Sequence, residues 1–174
     1  MKKNLYFIVV TLFFISFISC GDDNDDDEYS IYSGKDAKIV VDNQNIPIYY
    51  VDAAFYGTFF EFHLLADKDD LLKRFYCVWD ISDLSKIKIG DDITQYDDFY
   101  FEYTISATNF YEYTPPNKSD KKGGSMVITK IDLDKQEISL KVKDLFMYKS
   151  QFWGGEPDDC VVNGETINLK YNIK

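Results

Sequence analysis

From Ala37 to Lys174 the chain alternates apolar and polar residues in run after run. Ile167, Leu169, Tyr171 and Ile173 alternate with Asn168, Lys170, Asn172 and Lys174. A period of two puts one face in a core and the other in water, the signature of a half-buried strand. Ile138, Leu140 and Val142 repeat the pattern, as do Phe99, Phe101, Tyr103, Ile105 and Ala107. Phe75, Cys77, Trp79 and Ile81 share a face opposite Tyr76, Val78 and Asp80, and Phe60, Phe62 and Leu64 oppose Glu61 and His63. Further strands are predicted at Ile39–Val41, Ile46–Val51 and Met126–Ile131. The connections are short. Asp42-Asn43-Gln44-Asn45 and Asp132-Leu133-Asp134-Lys135 read as hairpin turns, and Asn163-Gly164 as a turn before the last strand. Gly123-Gly124 opens the strand at Met126. Parallel strands need long crossovers, so these strands are antiparallel. Asp69 to Phe75 is read as one short helical turn, and Thr114-Pro115-Pro116-Asn117 through Lys122 as an exposed loop. About eight strands over 37–174 predict an all-β fold: a single antiparallel β-sandwich or partly closed barrel.

The first residues follow another pattern. Lys2 and Lys3 precede an apolar run from Leu5 to Ile18, then Ser19 and Cys20. As a helix that run spans roughly 21 Å at 1.5 Å per residue, short of a bilayer core of about 30 Å. It therefore reads as a secretory signal rather than a permanent anchor. Phe17-Ile18-Ser19-Cys20 resembles the bacterial lipoprotein signal, which is cut just before a cysteine that then carries lipid, although the family usually has Leu where Phe17 stands. The resemblance implies removal of residues 1–19 and acylation of Cys20, palmitate being one such chain. Two or three acyl chains anchor a protein stably where one does not.

Asp22, Asp23, Asp25, Asp26, Asp27 and Glu28 follow at once. Six like charges with no apolar residue among them cannot pack, which predicts a disordered acidic tether over residues 20–36. This run is similar to the acidic export signal of Bacteroidota surface lipoproteins. That resemblance implies an outer-membrane, lipid-anchored protein whose folded part faces the cell exterior. The second half also looks like the ending of small all-β lipoproteins of the same group, through Gly124-Ser125-Met126-Val127-Ile128-Thr129-Lys130-Ile131-Asp132, the strand from Ile138, and Val162-Asn163-Gly164.

Charge changes the picture in one respect. The 174 residues carry a net −11. Loss of residues 1–19 takes Lys2 and Lys3 from that total and leaves −13, of which six charges lie between Asp22 and Glu28. Nucleic acid needs clustered Lys and Arg, so no nucleic-acid partner is expected.

Candidate chemistry is sparse. His63 is the single histidine, and triad and Cys–His mechanisms both need such a base. With Cys20 lipidated, only His63, Cys77 and Cys160 remain as soft ligands, too few for the usual zinc site. Asp132-Leu133-Asp134-Lys135-Gln136-Glu137 alternates acids but lacks the glycine and length of a calcium loop. No metal or cofactor is expected. Asp69-Asp70, Asp91-Asp92, Asp97-Asp98 and Asp158-Asp159 fall at predicted turns, where aspartate commonly bonds its own backbone. Cys77 and Cys160 are candidates for a disulfide outside the cytoplasm. Phe110, Tyr111 and Tyr113, before the proline loop, and Phe152 and Trp153, before Gly154-Gly155, are candidate ligand contacts. Loop aromatics beside acids suit stacking on sugar rings or gripping a protein. The expectation is a non-catalytic binding or accessory lipoprotein with a glycan or envelope protein as ligand. A hydrolase built on loop carboxylates and a structural subunit of a surface assembly are the alternatives.

Overall fold

The computed structural model describes residues 32–33, 37–113, 123–149 and 159–174. The strands are β1 (Tyr32–Ser33), β2 (Ala37–Val41), β3 (Gln44–Ile46), β4 (Tyr50–Phe55), β5 (Phe59–Leu65), β6 (Arg74–Asp80), β7 (Tyr100–Ser106), β8 (Asn109–Tyr113), β9 (Ser125–Asp132), β10 (Glu137–Lys149), β11 (Asp159–Lys170) and β12 (Asn172–Ile173). The fold is all-β, as the alternation predicts. It is a single twelve-stranded sheet running β1-β4-β5-β6-β7-β8-β10-β11-β2-β3, with β9 on β10 and β12 on β4. Among the described residues every ladder is antiparallel except β12 along β4. Only Tyr171 separates β12 from β11, so the chain crosses from one end of the sheet's path to β4 in a single step.

Three strands escape the sequence reading, and the predicted last strand is divided at Tyr171 into β11 and β12. β1 and β3 have two and three residues, too few to display a period. β1 falls inside the predicted tether, where Tyr32 pairs with Val51 and Ser33 with Tyr50. The third is β8, whose residues were expected in a loop. Pro47 breaks the run expected from Ile46 to Val51, because proline has no N–H to give a ladder. β3 ends at Ile46 and β4 begins at Tyr50. Asp69–Lys73 is a turn, and Arg74 and Phe75 already belong to β6.

The Asp42-Asn43 turn forms as predicted. Both residues have positive φ, 47° and 66°, and Val41 pairs with Gln44. That is the two-residue geometry that matches strand twist and favours Asn and Asp. Asn163-Gly164 does not turn. Both residues lie within β11, where Gly164 faces Val142 on one side and Ile39 on the other. A Cβ there would come within 3.1 Å of Ile39 Cδ1 and 3.4 Å of Val142 Cβ, so glycine serves close packing rather than reversal. Asn163 has its own task. Its Oδ1 accepts from the Asp144 N–H at 2.8 Å, opposite an irregularity where Asp144 has φ 49°. The extra residue shifts the buried phase of β10 from Leu140 and Val142 to Leu145 and Met147.

The core is continuous and aromatic. Trp79, Phe60, Phe62, Phe75 and Phe101 are fully buried. Leu140, Met147, Val162 and Ile167 close it from the other half of the sheet. Phe60 stacks on Trp79 at 4.6 Å and meets Tyr171 edge-on at 5.2 Å, tying β12's approach to the centre.

Candidate functional site on the outer sheet face

Cys20, the acidic residues from Asp22 to Glu28, Phe152, Trp153 and the Pro115-Pro116 loop lie outside the described residues. The remaining aromatic candidates are not a loop cluster. Tyr111 and Tyr113 sit on β8 with 8% and 5% exposure, pointing into the core. Tyr111 stacks with Tyr103 at 6.2 Å, and Tyr113 meets Phe99 edge-on at 5.3 Å. They complete the core rather than reach a ligand, because alternation on β8 leaves Phe110 and Glu112 on the other face. Phe110 is half-buried there.

Cys77 and Cys160 are not joined by a disulfide. They lie on β6 and β11, which are not neighbours in the sheet, and both are buried. Burial pushes the Cys77 thiol well above its ordinary range, the behaviour of a small core hydrophobe.

The turn carboxylates hold the backbone. Asp92 caps the 3-10 turn Ile93–Gln95 through Thr94 N–H at 3.1 Å and also accepts from Met126 N–H at 3.1 Å. Asp91 accepts from Lys88 N–H at 2.8 Å and from the Tyr96 hydroxyl at 3.0 Å. Asp70 accepts from Leu72 N–H at 3.0 Å. In the stretch weighed for calcium, Asp132 accepts from Lys135 N–H at 3.1 Å and pairs with its ammonium at 3.2 Å, while Glu137 pairs with Lys130 at 2.7 Å. Among the described residues no group of three or more His, Cys, Asp or Glu is placed to hold a metal ion.

The polar chemistry gathers on the outer face of the meander β4–β8. Register builds it. Asp52, His63, Tyr76, Glu102 and Glu112 face one another strand by strand, and Ala54, Glu61, Val78 and Tyr100 form the next row. His63 stacks on Tyr76 at 4.7 Å and lies 3.9 Å from Glu61. Glu61 also accepts from the Tyr76 hydroxyl at 3.4 Å. His63, with the hydroxyls of Tyr56 and Tyr76, holds the Glu61 carboxyl below the usual carboxylate range against the opposing effect of burial. Burial and the Glu61 charge push the Tyr76 phenol up to about 12.

Beside this network, the Tyr100 hydroxyl lies 2.6 Å from Glu102 and 3.0 Å from Glu112. It has one hydrogen, so it donates to one carboxylate at a time. The Thr104 hydroxyl donates to Glu102 as well. Burial and both carboxylates raise the Tyr100 phenol far above its ordinary value. Glu102 and Glu112 are directly opposed across the β7–β8 ladder, and like charges in that position destabilise a sheet. Glu112→Gln keeps the shape and removes one charge. We expect it to stabilise the protein by about 0.2–1 kcal/mol, raising Tm by roughly 1–3 °C. A thermal melt that falls instead would show that the bond from the Tyr100 hydroxyl to the Glu112 carboxylate outweighs the repulsion.

Tyr76 also packs near Tyr100, with ring centroids 6.1 Å apart, and the Arg74 guanidinium lies 5.9 Å from the Tyr76 ring centre. The face thus offers fixed carboxylate acceptors, ring surfaces and one guanidinium. Its residues were legible as outward-facing positions of predicted strands. Their convergence depends on inter-strand register, which no single strand encodes. Compared with family models, curated proteins and solved structures, the chain matches none.

Proposed function

We propose that this is a lipid-anchored lipoprotein of the outer membrane whose β-domain faces the cell exterior and binds a glycan or another envelope protein without transforming it. The observation that carries the reading is the succession of Ser19-Cys20 and six acidic residues ahead of an all-β domain. β1 begins twelve residues after Cys20. At no more than about 3.6 Å per residue, that stretch lets the domain stand up to about 40 Å from the lipid. The outer face of β4–β8 supports a binding role, since rings and carboxylates side by side suit hydroxyl-rich ligands.

Two alternatives draw less support. A hydrolase on loop carboxylates would need aspartates whose oxygens here cap turns. A subunit accepting a partner strand would need a long free edge, yet β3 has three residues with Pro47 after it, and the outer edge of β9 is already bonded at Ile128 by Gly90 and Asp91.

The test uses the full chain in its own host. A clickable fatty acid should label the wild-type protein, and Cys20→Ala should abolish the label. Protease added to whole cells should digest the wild type. Digestion should be lost when Asp22, Asp23, Asp25, Asp26, Asp27 and Glu28 become Ala. An unlabelled wild type defeats the anchor, and undiminished digestion of the alanine variant defeats the export role.

A further inference from the structure

Arg74 is the only arginine among the 174 residues. It projects from β6 onto the outer face, opposite Leu65 on one side and Thr104 on the other, and is half-buried. Its Nε is buried with no hydrogen-bond partner. No carboxylate among the described residues pairs with it, although Glu102 and Glu61 share its face. Its guanidinium lies over the Tyr76 ring. A partly desolvated guanidinium without an anion is costly in a chain with 30 acidic residues to choose from. Arg74 as a whole is only half-buried, so part of its side chain is reachable from solvent.

We propose that Arg74 anchors the carboxylate of an acidic sugar, and that the outer face of β5–β8 is a subsite for uronate-containing glycan. This deepens the binding reading above and rests on it. Guanidinium and carboxylate match in plane and donor geometry, and the pair is charge-assisted. The sugar's hydroxyls would donate to Glu61 and Glu102, acceptors already fixed by their tyrosine and threonine partners. The Tyr76 and Tyr100 rings supply the apolar surface beside them. The same glutamates decide the ligand's charge. A phosphate or a polyanion would meet three carboxylates on this face, whereas a sugar with one carboxylate and many hydroxyls satisfies the arginine and the glutamates together.

Calorimetric titration of the full-length protein in detergent tests this, with two probes: galactotriose carrying a single terminal galacturonate (the mono-uronate) and neutral galactotriose. Wild type should bind the mono-uronate at least about tenfold more tightly than galactotriose, the loss expected when one charge-assisted bond is missing. Arg74→Gln should lose that preference, and Arg74→Lys should retain part of it, each with a melt confirming the fold. The wild-type comparison needs no variant, so a misfolded substitution cannot rescue the idea. Equal affinity for both sugars, no binding of the mono-uronate, binding of inorganic phosphate as tight as that of the mono-uronate, or an unaltered Arg74→Gln overturns the site. Lipid labelling and protease accessibility do not involve Arg74. The site can therefore fail while the surface-lipoprotein reading stands, and binding of galactotriose alone would leave a glycan role without this anchor.

Discussion

Trp79→Ala is expected to cost about 3–5 kcal/mol, lowering Tm by about 6–20 °C at the roughly 2–4 °C per kcal/mol of a domain this size. Trp79 is fully buried at the centre of the core. Phe60 stacks on it at 4.6 Å and Phe62 meets it edge-on at 6.4 Å. Removing the indole deletes the largest buried side chain. The gap is bordered by rings on neighbouring strands, and a hydrogen-bonded sheet cannot collapse into it. Trp79→Phe should be far milder. The indole N–H is buried without an acceptor, so phenylalanine gives up volume but also removes an unsatisfied donor, a group whose burial costs about 1–3 kcal/mol. Chemical denaturation of the two variants checks this. A Phe variant as unstable as the Ala variant would mean that the indole nitrogen has a role in the fold.

Gly124→Ala should be the most damaging single-methyl addition. Gly124 has φ +76°, a region that costs an L-residue about 1–2 kcal/mol. Its added Cβ would overlap the Asp144 carbonyl and lie 2.5 Å from Leu145 Cα. Those are backbone atoms of β10 at its irregularity, so no rotamer change relieves the contact. The β9 entry and the long β10 strand would have to separate, breaking the bond from Phe146 N–H to the Gly123 carbonyl at 3.2 Å. A loss of about 3 kcal/mol or more is expected, strain and overlap together. Gly57→Ala is the matched control. Gly57 has φ +79° and nothing within 4 Å of an added Cβ, so only the backbone cost of about 1–2 kcal/mol applies. Equal melting temperatures for the two variants would place the whole effect in φ and none in the close approach of β9 to β10.

The alternating runs made much of this fold legible. Phe60, Phe62 and Leu64, then Phe75, Cys77 and Trp79, are buried as their spacing requires. Asp42-Asn43 turns because both residues tolerate the left-handed region. Asn163-Gly164 carries the same local chemistry and yet stays extended, because Asn163 bonds Asp144 and Gly164 lets Ile39 and Val142 approach. Tyr111 and Tyr113 were equally ambiguous beside a proline loop. Pairing of β8 with both β7 and β10 draws them inward.

By itself, the sequence determined the strand-rich class, the faces of the longer strands and the acidic segment behind Cys20. These depend on a period of two, on local charge and on short-range turn preferences, all of which act over a few residues. The tertiary structure alone decided the order of strands, the pairing of β12 with β4, the burial of Tyr111 and Tyr113, and the meeting of Glu61, Tyr76, Tyr100, Glu102 and Arg74 on one face. Those depend on register between segments far apart in the chain. A slip of one residue in the pairing of any one of these strands would send that strand's side chains to the opposite face.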